Sequence, residues 1–145
     1  MFEYGNLQTN TCIGPQCTIL LCNPSNIEQN ISIDAIVDSG AVRTCIPVSK
    51  LKRLGNLVQG NTVSMRDANG GYQTREAYFV DIKIGNDLFE NIQIIKIPDK
   101  EPPKNNYAII GRDVLNEKKV MLNAHDGKWR LNCGQSCDII FIEHK

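Results

Sequence analysis

Asp38-Ser39-Gly40 is the stretch of this sequence best suited to chemistry; it follows the apolar pair Ile36-Val37 and precedes Ala41. A carboxylate at the end of a hydrophobic strand is costly unless it is paired or hydrogen-bonded. Ser39 places a hydroxyl beside it, and Gly40 lets backbone approach where a side chain would block it. Those are the parts of a carboxylate acid/base site. Taken alone, the triplet also reads as an ordinary turn, because Asp, Ser and Gly dominate turns for local reasons. Acid/base work of this kind uses two carboxylates. The triplet occurs once, so the second copy has to come from another chain.

Two further segments accompany it. Tyr107-Ala108-Ile109-Ile110 is an apolar run that ends at Gly111-Arg112-Asp113-Val114-Leu115. Between the two lies Asp67-Ala68-Asn69-Gly70-Gly71, flanked by Val63-Ser64-Met65 and Tyr72-Gln73-Thr74. Asn-Gly and Gly-Gly are strong hairpin-turn signals.

The elements that must hold these segments are short strands. Cys17–Cys22, Ile31–Val37, Thr44–Pro47, Glu76–Gly85, Phe89–Ile97, Tyr107–Ile110, Val120–Asn123, Lys128–Leu131 and Asp138–Ile142 all read as strands. Asn23-Pro24-Ser25-Asn26 and His125-Asp126-Gly127 read as turns, and 98–106 as an exposed, charged, Pro-containing loop. Ser49–Gly55 reads as one short helix with a Ser cap and a Gly stop, and Asp113–Asn116 suggests another helical turn. Many strands at close spacing with little helix predict an all-β barrel or sandwich. There is no internal repeat.

The chain's 145 residues suit one domain. Lys+Arg and Asp+Glu both total 16, which argues against nucleic acid as the main partner, since phosphate binding favours a basic excess. No apolar stretch approaches the roughly 20 residues that span a bilayer, so no membrane partner is expected. The first residues show no basic segment leading into an apolar run, which predicts no signal peptide and a cytoplasmic protein. The six cysteines (Cys12, Cys17, Cys22, Cys45, Cys133 and Cys137) are then expected as reduced thiols, with disulfides among the terminal segments the alternative. Cys12-x4-Cys17-x4-Cys22 and Cys133-x3-Cys137 do not have the short spacing of zinc sites, so neither metal nor cofactor is expected. A Cys–His pair using His125 or His144 has no supporting motif.

The three signals together resemble the retropepsin-like aspartic proteases, the proteases of retroviruses and retrotransposons and their cellular and bacterial relatives. The resemblance covers about Ile31 to Leu131. It implies a closed β-barrel with a flap hairpin, active as a homodimer on peptide or protein substrates, with a water held between two aspartates as nucleophile. Residue by residue, it implies that Asp38 is the catalytic aspartate. Ser39, Gly40 and Ala41 support the catalytic loop, Asn69, Gly70 and Gly71 belong to the substrate-covering flap, and Ile110, Gly111, Arg112 and Asp113 pack behind the site. The expected function is an aspartic endopeptidase. The alternative is a catalytically weak dimerisation or peptide-binding module on the same fold. Residues 1–23 are expected as an N-terminal extension, 24–131 as the protease domain and 132–145 as a C-terminal extension. Thr18–Leu21 and Asp138–Ile142 are the candidate strands of an intersubunit sheet. One departure stands out. The retroviral enzymes carry an acidic residue soon after the motif that pairs with the Arg of Gly-Arg. Here those positions are Val42 and Arg43, leaving Asp113, Asp34 or a residue of the other subunit as candidate partners of Arg112.

Overall fold

A computed structural model of the chain describes residues 2–5, 14–66, 69–123, 128–132 and 141–142, with side chains described within 15–66 and 69–118. Twelve strands are described: β1 Phe2–Gly5, β2 Gly14–Asn23, β3 Asn26–Val37, β4 Cys45–Pro47, β5 Val63–Arg66, β6 Tyr72–Arg75, β7 Ala77–Ile84, β8 Asp87–Ile97, β9 Ala108–Ile110, β10 Lys119–Asn123, β11 Lys128–Asn132 and β12 Phe141–Ile142. Helices α1 (Val48–Lys52) and α2 (Arg112–Leu115) and a 3-10 turn (Pro103–Asn105) complete them. Two short α-helices thus stand where the sequence predicts one and a suggestion of another.

Six strands close into a barrel in the order β2-β3-β9-β4-β8-β7, with β7 pairing back onto β2. Closure removes the free edges that an open sheet would expose. The interior is set by strand alternation, since successive side chains point to opposite faces. On β3, Ile31, Ile33, Ala35 and Val37 are buried while Ser32 and Asp34 face water. On β7 the buried set is Ala77, Val80, Ile82 and Ile84. Ile19, Leu21, Ile46, Ile94 and Ile110 fill the centre from the other strands. Each such side chain contributes about 1.5–3 kcal/mol by leaving water.

On β8 the alternation slips by one residue: Phe89 is buried, then Ile92 and Ile94. The register with β7 shifts at the same place, from Ile82↔Phe89 to Val80↔Ile92. Asn91 takes a left-handed φ of 51° there, and the Asp81 carboxylate accepts its N–H at 2.8 Å. This is a β-bulge. It re-phases the strand so that both halves turn apolar residues inward.

The amino-terminal segment corrects the sequence expectation. β2 is a stave of the barrel, not an extension: it pairs with β3 from Gln16↔Ile36 onward and with β7 from Leu20↔Lys83 to Cys22↔Asp81. Ile19 and Leu21 lie in the core. Thr18–Leu21 therefore gives its hydrogen bonds to its own barrel, and a boundary at residue 24 would cut the β2–β3 hairpin. Outside the barrel, β1 pairs with β2 and β11, and β10 with β11 and β12. Of Asp138–Ile142, residues 138–140 lie outside the described residues, and Phe141–Ile142 pairs parallel to β10. The 125–127 turn, both histidines, Cys12, Cys133 and Cys137 also lie outside them. Cys17, Cys22 and Cys45 are free thiols. No described helix is long and apolar enough to cross a membrane, and the described residues hold no metal-ligating group.

Asn23, read from sequence as a turn residue, does more than turn the chain. Its side chain is 2% exposed. Its amide donates to the carbonyls of Leu54 (2.9 Å) and Asn56 (2.8 Å), and its oxygen accepts the Ser25 N–H at 2.9 Å. It ties the β2–β3 turn to the chain leaving α1. Asn23→Ala orphans the buried Leu54 carbonyl and removes the partner of the Asn56 carbonyl, a cost of about 1–3 kcal/mol. Urea unfolding of the variant should show that loss of stability with an unchanged m-value.

Candidate active site

The site is created by a crossing. β9 lies between β3 and β4, parallel to the first and antiparallel to the second. The connection 38–44 from β3 to β4 must therefore pass over the carboxyl end of β9. That connection carries Asp38, Ser39, Gly40 and Ala41, and the chain leaving β9 carries Gly111, Arg112 and Asp113. The topology thus brings together two of the three sequence signals, about 70 residues apart in sequence.

Backbone bonds fasten the crossing. The Asp38 N–H donates to the Ile110 carbonyl (2.9 Å), and the Arg112 N–H donates to the Ala41 carbonyl (2.8 Å). Within the loop, the Ala41 N–H donates to the Asp38 carbonyl at 3.1 Å. The Gly40 N–H donates to Asp38 Oδ1 at 2.9 Å, so a backbone dipole orients the carboxylate. Asp38 itself is exposed and Ser39 half-buried.

Gly111 lies directly beneath the loop. A Cβ at this position would stand 2.6 Å from the Arg43 carbonyl carbon and 2.7 Å from its oxygen. Those are backbone atoms, so the absence of a side chain is a packing requirement.

Thr44, fully buried, is a residue that the sequence reading did not single out. Its hydroxyl accepts the Gly111 N–H at 3.0 Å and donates to Asp113 Oδ1 at 2.7 Å. Its N–H donates to both Asp113 oxygens, at 3.0 and 2.9 Å. Asp113 Oδ1 also accepts the Val114 N–H at 2.9 Å. The carboxylate of Asp113 thus clamps the loop's end to the start of α2. This resolves the Arg112 question for two candidates. Asp113 is engaged by Thr44, and Asp34 accepts the Thr18 hydroxyl at 2.9 Å. The Arg112 side chain is exposed, and no ion pair reaches it among the described residues.

β5 and β6 form a separate two-stranded hairpin in the register Val63↔Arg75 and Met65↔Gln73. Asn69, Gly70 and Gly71 stand exposed at its tip, with Gly70 at φ 85°. Residues 67–68 lie outside the described residues. At its base, Glu76 Oε2 accepts the Lys96 ammonium and the Tyr78 hydroxyl, each at 2.6 Å. These bonds, Lys96 first, hold the Glu76 carboxyl below its usual range.

Cys45, beside Thr44, is a buried thiol. Burial, reinforced by the negative charges of Asp113 and Asp38, pushes its thiol up to about 11. Two cavities, of about 610 and 310 Å³, line other parts of the surface, and neither includes a residue of 38–44.

The sequence profile of the gag-polyprotein putative aspartyl protease family matches residues 24–117. Among solved structures, the chain is similar to EIAV protease complexed with the inhibitor HBY-793, at 18% identity and a TM-score of 0.50, over 76% of this chain and 92% of that one. It is also similar to a retropepsin-like aspartic protease from Rickettsia conorii, at 17% identity and a TM-score of 0.53, over 77% of each chain. At such identities the likeness is one of fold. No protein of curated function matches.

Thr44→Val keeps the shape of the side chain but removes the hydroxyl, leaving the Gly111 N–H without its acceptor; chemical denaturation should show a loss of about 2–3 kcal/mol. The thiols give a second expectation. Cys45 and Cys17 are pushed to about 11 and about 12, so both remain protonated at pH 8. Mass spectrometry after iodoacetamide treatment of the native chain at that pH should find neither alkylated, while the urea-unfolded chain reacts at both.

Proposed function

Because the chain belongs to the gag-polyprotein aspartyl protease family and has the retropepsin-like fold, we propose that it is an aspartic endopeptidase, active as a homodimer, with Asp38 of each subunit as the catalytic carboxylate. The observation that carries this reading is the mounting of Asp38. Its carboxylate is oriented by the Gly40 N–H, stands on an exposed face, and sits on a loop braced from below by Gly111, Thr44 and Asp113. A turn aspartate without a task would not require that bracing. The chain holds one such carboxylate, and a twofold axis through the exposed face supplies the other. Two apolar residues stand exposed, Val42 on the same loop and Tyr72 on the hairpin, and are what a second subunit or a substrate would cover.

The chemistry rests on proximity. Two carboxylates about 3 Å apart share one proton, because both cannot ionise cheaply. The ionised member takes a proton from a water held between them, and that water attacks the scissile carbonyl. The protonated member donates a hydrogen bond to the carbonyl oxygen as it gains charge. Ser39 would hydrogen-bond to its counterpart below the pair. The hairpin 63–75 would close over an extended peptide, with Gly70 and Gly71 allowing close backbone approach.

Only the singly protonated pair is competent. Activity is lost at low pH when both carboxyls are protonated and at high pH when both are ionised, so the pH–rate profile is a bell on the acidic side of neutrality, with its limbs belonging to the pair. Asp38→Asn should lower kcat/KM on any cleaved peptide by about 10³-fold or more, with circular dichroism and dimer size unchanged. An activity flat from pH 4 to pH 9, or one that survives the substitution, would contradict the mechanism.

A further inference from the structure

The departure after the motif places a cation where the retroviral pattern has an anion. Arg43 lies five residues after Asp38 on the same loop and is half-buried between exposed Val42 and buried Thr44. Its backbone is fixed: its carbonyl accepts the Cys45 thiol at 3.5 Å and packs against Gly111. A second arginine approaches from the hairpin. Arg75 pairs across it with Val63, and cross-strand partners share a face. Val63, Met65 and Arg75 are the hairpin's half-buried positions, while Ser64, Arg66, Tyr72, Gln73 and Thr74 are exposed. Arg75 therefore lies on the covered side of the hairpin. Two residues later, Ala77 pairs with Ile95, which pairs on its other edge with Cys45. The charges of Arg75 and Asp38 both act on the Cys45 thiol, which also donates to the Arg43 carbonyl, so the Arg75 charge, the Asp38 carboxylate and the Arg43 backbone lie about one residue.

Neither arginine has a carboxylate partner among the described residues, where the one ion pair is Glu76–Lys96. Arg75 donates only to the neutral Gln73 side chain. Half-buried guanidinium groups without counter-charge lose hydration and gain little in return. The excess is local, because the chain as a whole is neutral. In a dimer, four such arginines would surround an aspartate pair bearing a single negative charge.

We propose that Arg43 and Arg75 form a basic subsite that selects a substrate peptide with an acidic side chain close to the scissile bond. This rests on the reading of Asp38 as the catalytic carboxylate. Guanidinium–carboxylate recognition is two-pronged and charge-assisted. A Gln in place of the acid keeps the shape but leaves both cations uncompensated, so the discrimination is strong.

The test separates binding from cleavage. Pairs of extended peptides, identical except for Glu or Gln at each position in turn, are titrated against the full-length Asp38→Asn chain by fluorescence anisotropy at low salt. The expected result is about tenfold or greater preference for Glu at one or two adjacent positions. It should be lost in an Arg43→Gln, Arg75→Gln background and kept in Lys83→Gln, an exposed cation on β7. If the double variant does not fold, Arg43→Glu alone should turn the preference from Glu to Lys. Equal binding at every position, no binding at all, or a preference that survives both substitutions overturns the subsite. Cleavage by the native chain without a Glu preference refutes the subsite and leaves the protease reading standing. Glu-selective binding with no cleavage of the same peptides refutes the protease reading and leaves the subsite.

Discussion

The crossing of residues 38–44 over the end of β9 is the constraint on which the rest of this structure depends. A strand inserted between two consecutive strands forces their connection to bridge it, and a bridge over a strand end leaves backbone groups of both segments without ladder partners. Those groups find each other here: Asp38 with Ile110, and Arg112 with Ala41. Thr44 and Asp113 complete the fastening through a directional chain in which the Gly111 N–H donates to a hydroxyl that donates to a carboxylate. Buried polar groups stabilise when every member is satisfied. Gly111 makes the approach close enough for that to happen.

On the proposed reading, the crossing builds half of a catalytic site. The braced loop holds Asp38 exposed. The barrel supplies rigidity, with Ile46, Ile94 and Ile110 fully buried beneath the loop's anchor points. The hairpin stands apart as its own two-stranded sheet, anchored at its base by the Glu76–Lys96–Tyr78 cluster. This division suits an enzyme that must hold one carboxylate rigidly and admit a chain above it. It also makes charge near the loop consequential. With Val42 and Arg43 where an acidic residue would reach back to the Gly-Arg segment, the loop is fastened by Asp113 and Thr44 instead, and Arg112 is left without that pairing.

The sequence made some of this legible. Asp38-Ser39-Gly40 and Gly111-Arg112-Asp113 are local signals, and local backbone demands wrote them. The barrel strands were readable wherever alternation was clean, as in β3 and β7. The bulge in β8 was not read, although the slip from Phe89 to Ile92 is a break of phase in the sequence. Thr44 was not legible, because its partners are 67 and 69 positions away and a Thr at a strand entry is commonplace. Asn23 was half legible: its type marked the turn, where its oxygen accepts the Ser25 N–H, while its amide also serves a distant loop. β2 was read as an extension because its first half is polar and its membership of the barrel depends on β7, some 60 residues later. Arg75 drew no attention because only the hairpin register gives it a face.

The central claim is that one active site is made from two Asp38 carboxylates on two chains. It is tested most directly by unfolding native and Asp38→Asn chains together in equal amounts, refolding them, and measuring peptide hydrolysis against the unmixed native sample at the same total concentration. Random pairing in a twofold dimer makes about one quarter of the dimers fully native, so the account predicts about one quarter of the activity. About one half would mean that each chain works alone, and would contradict it.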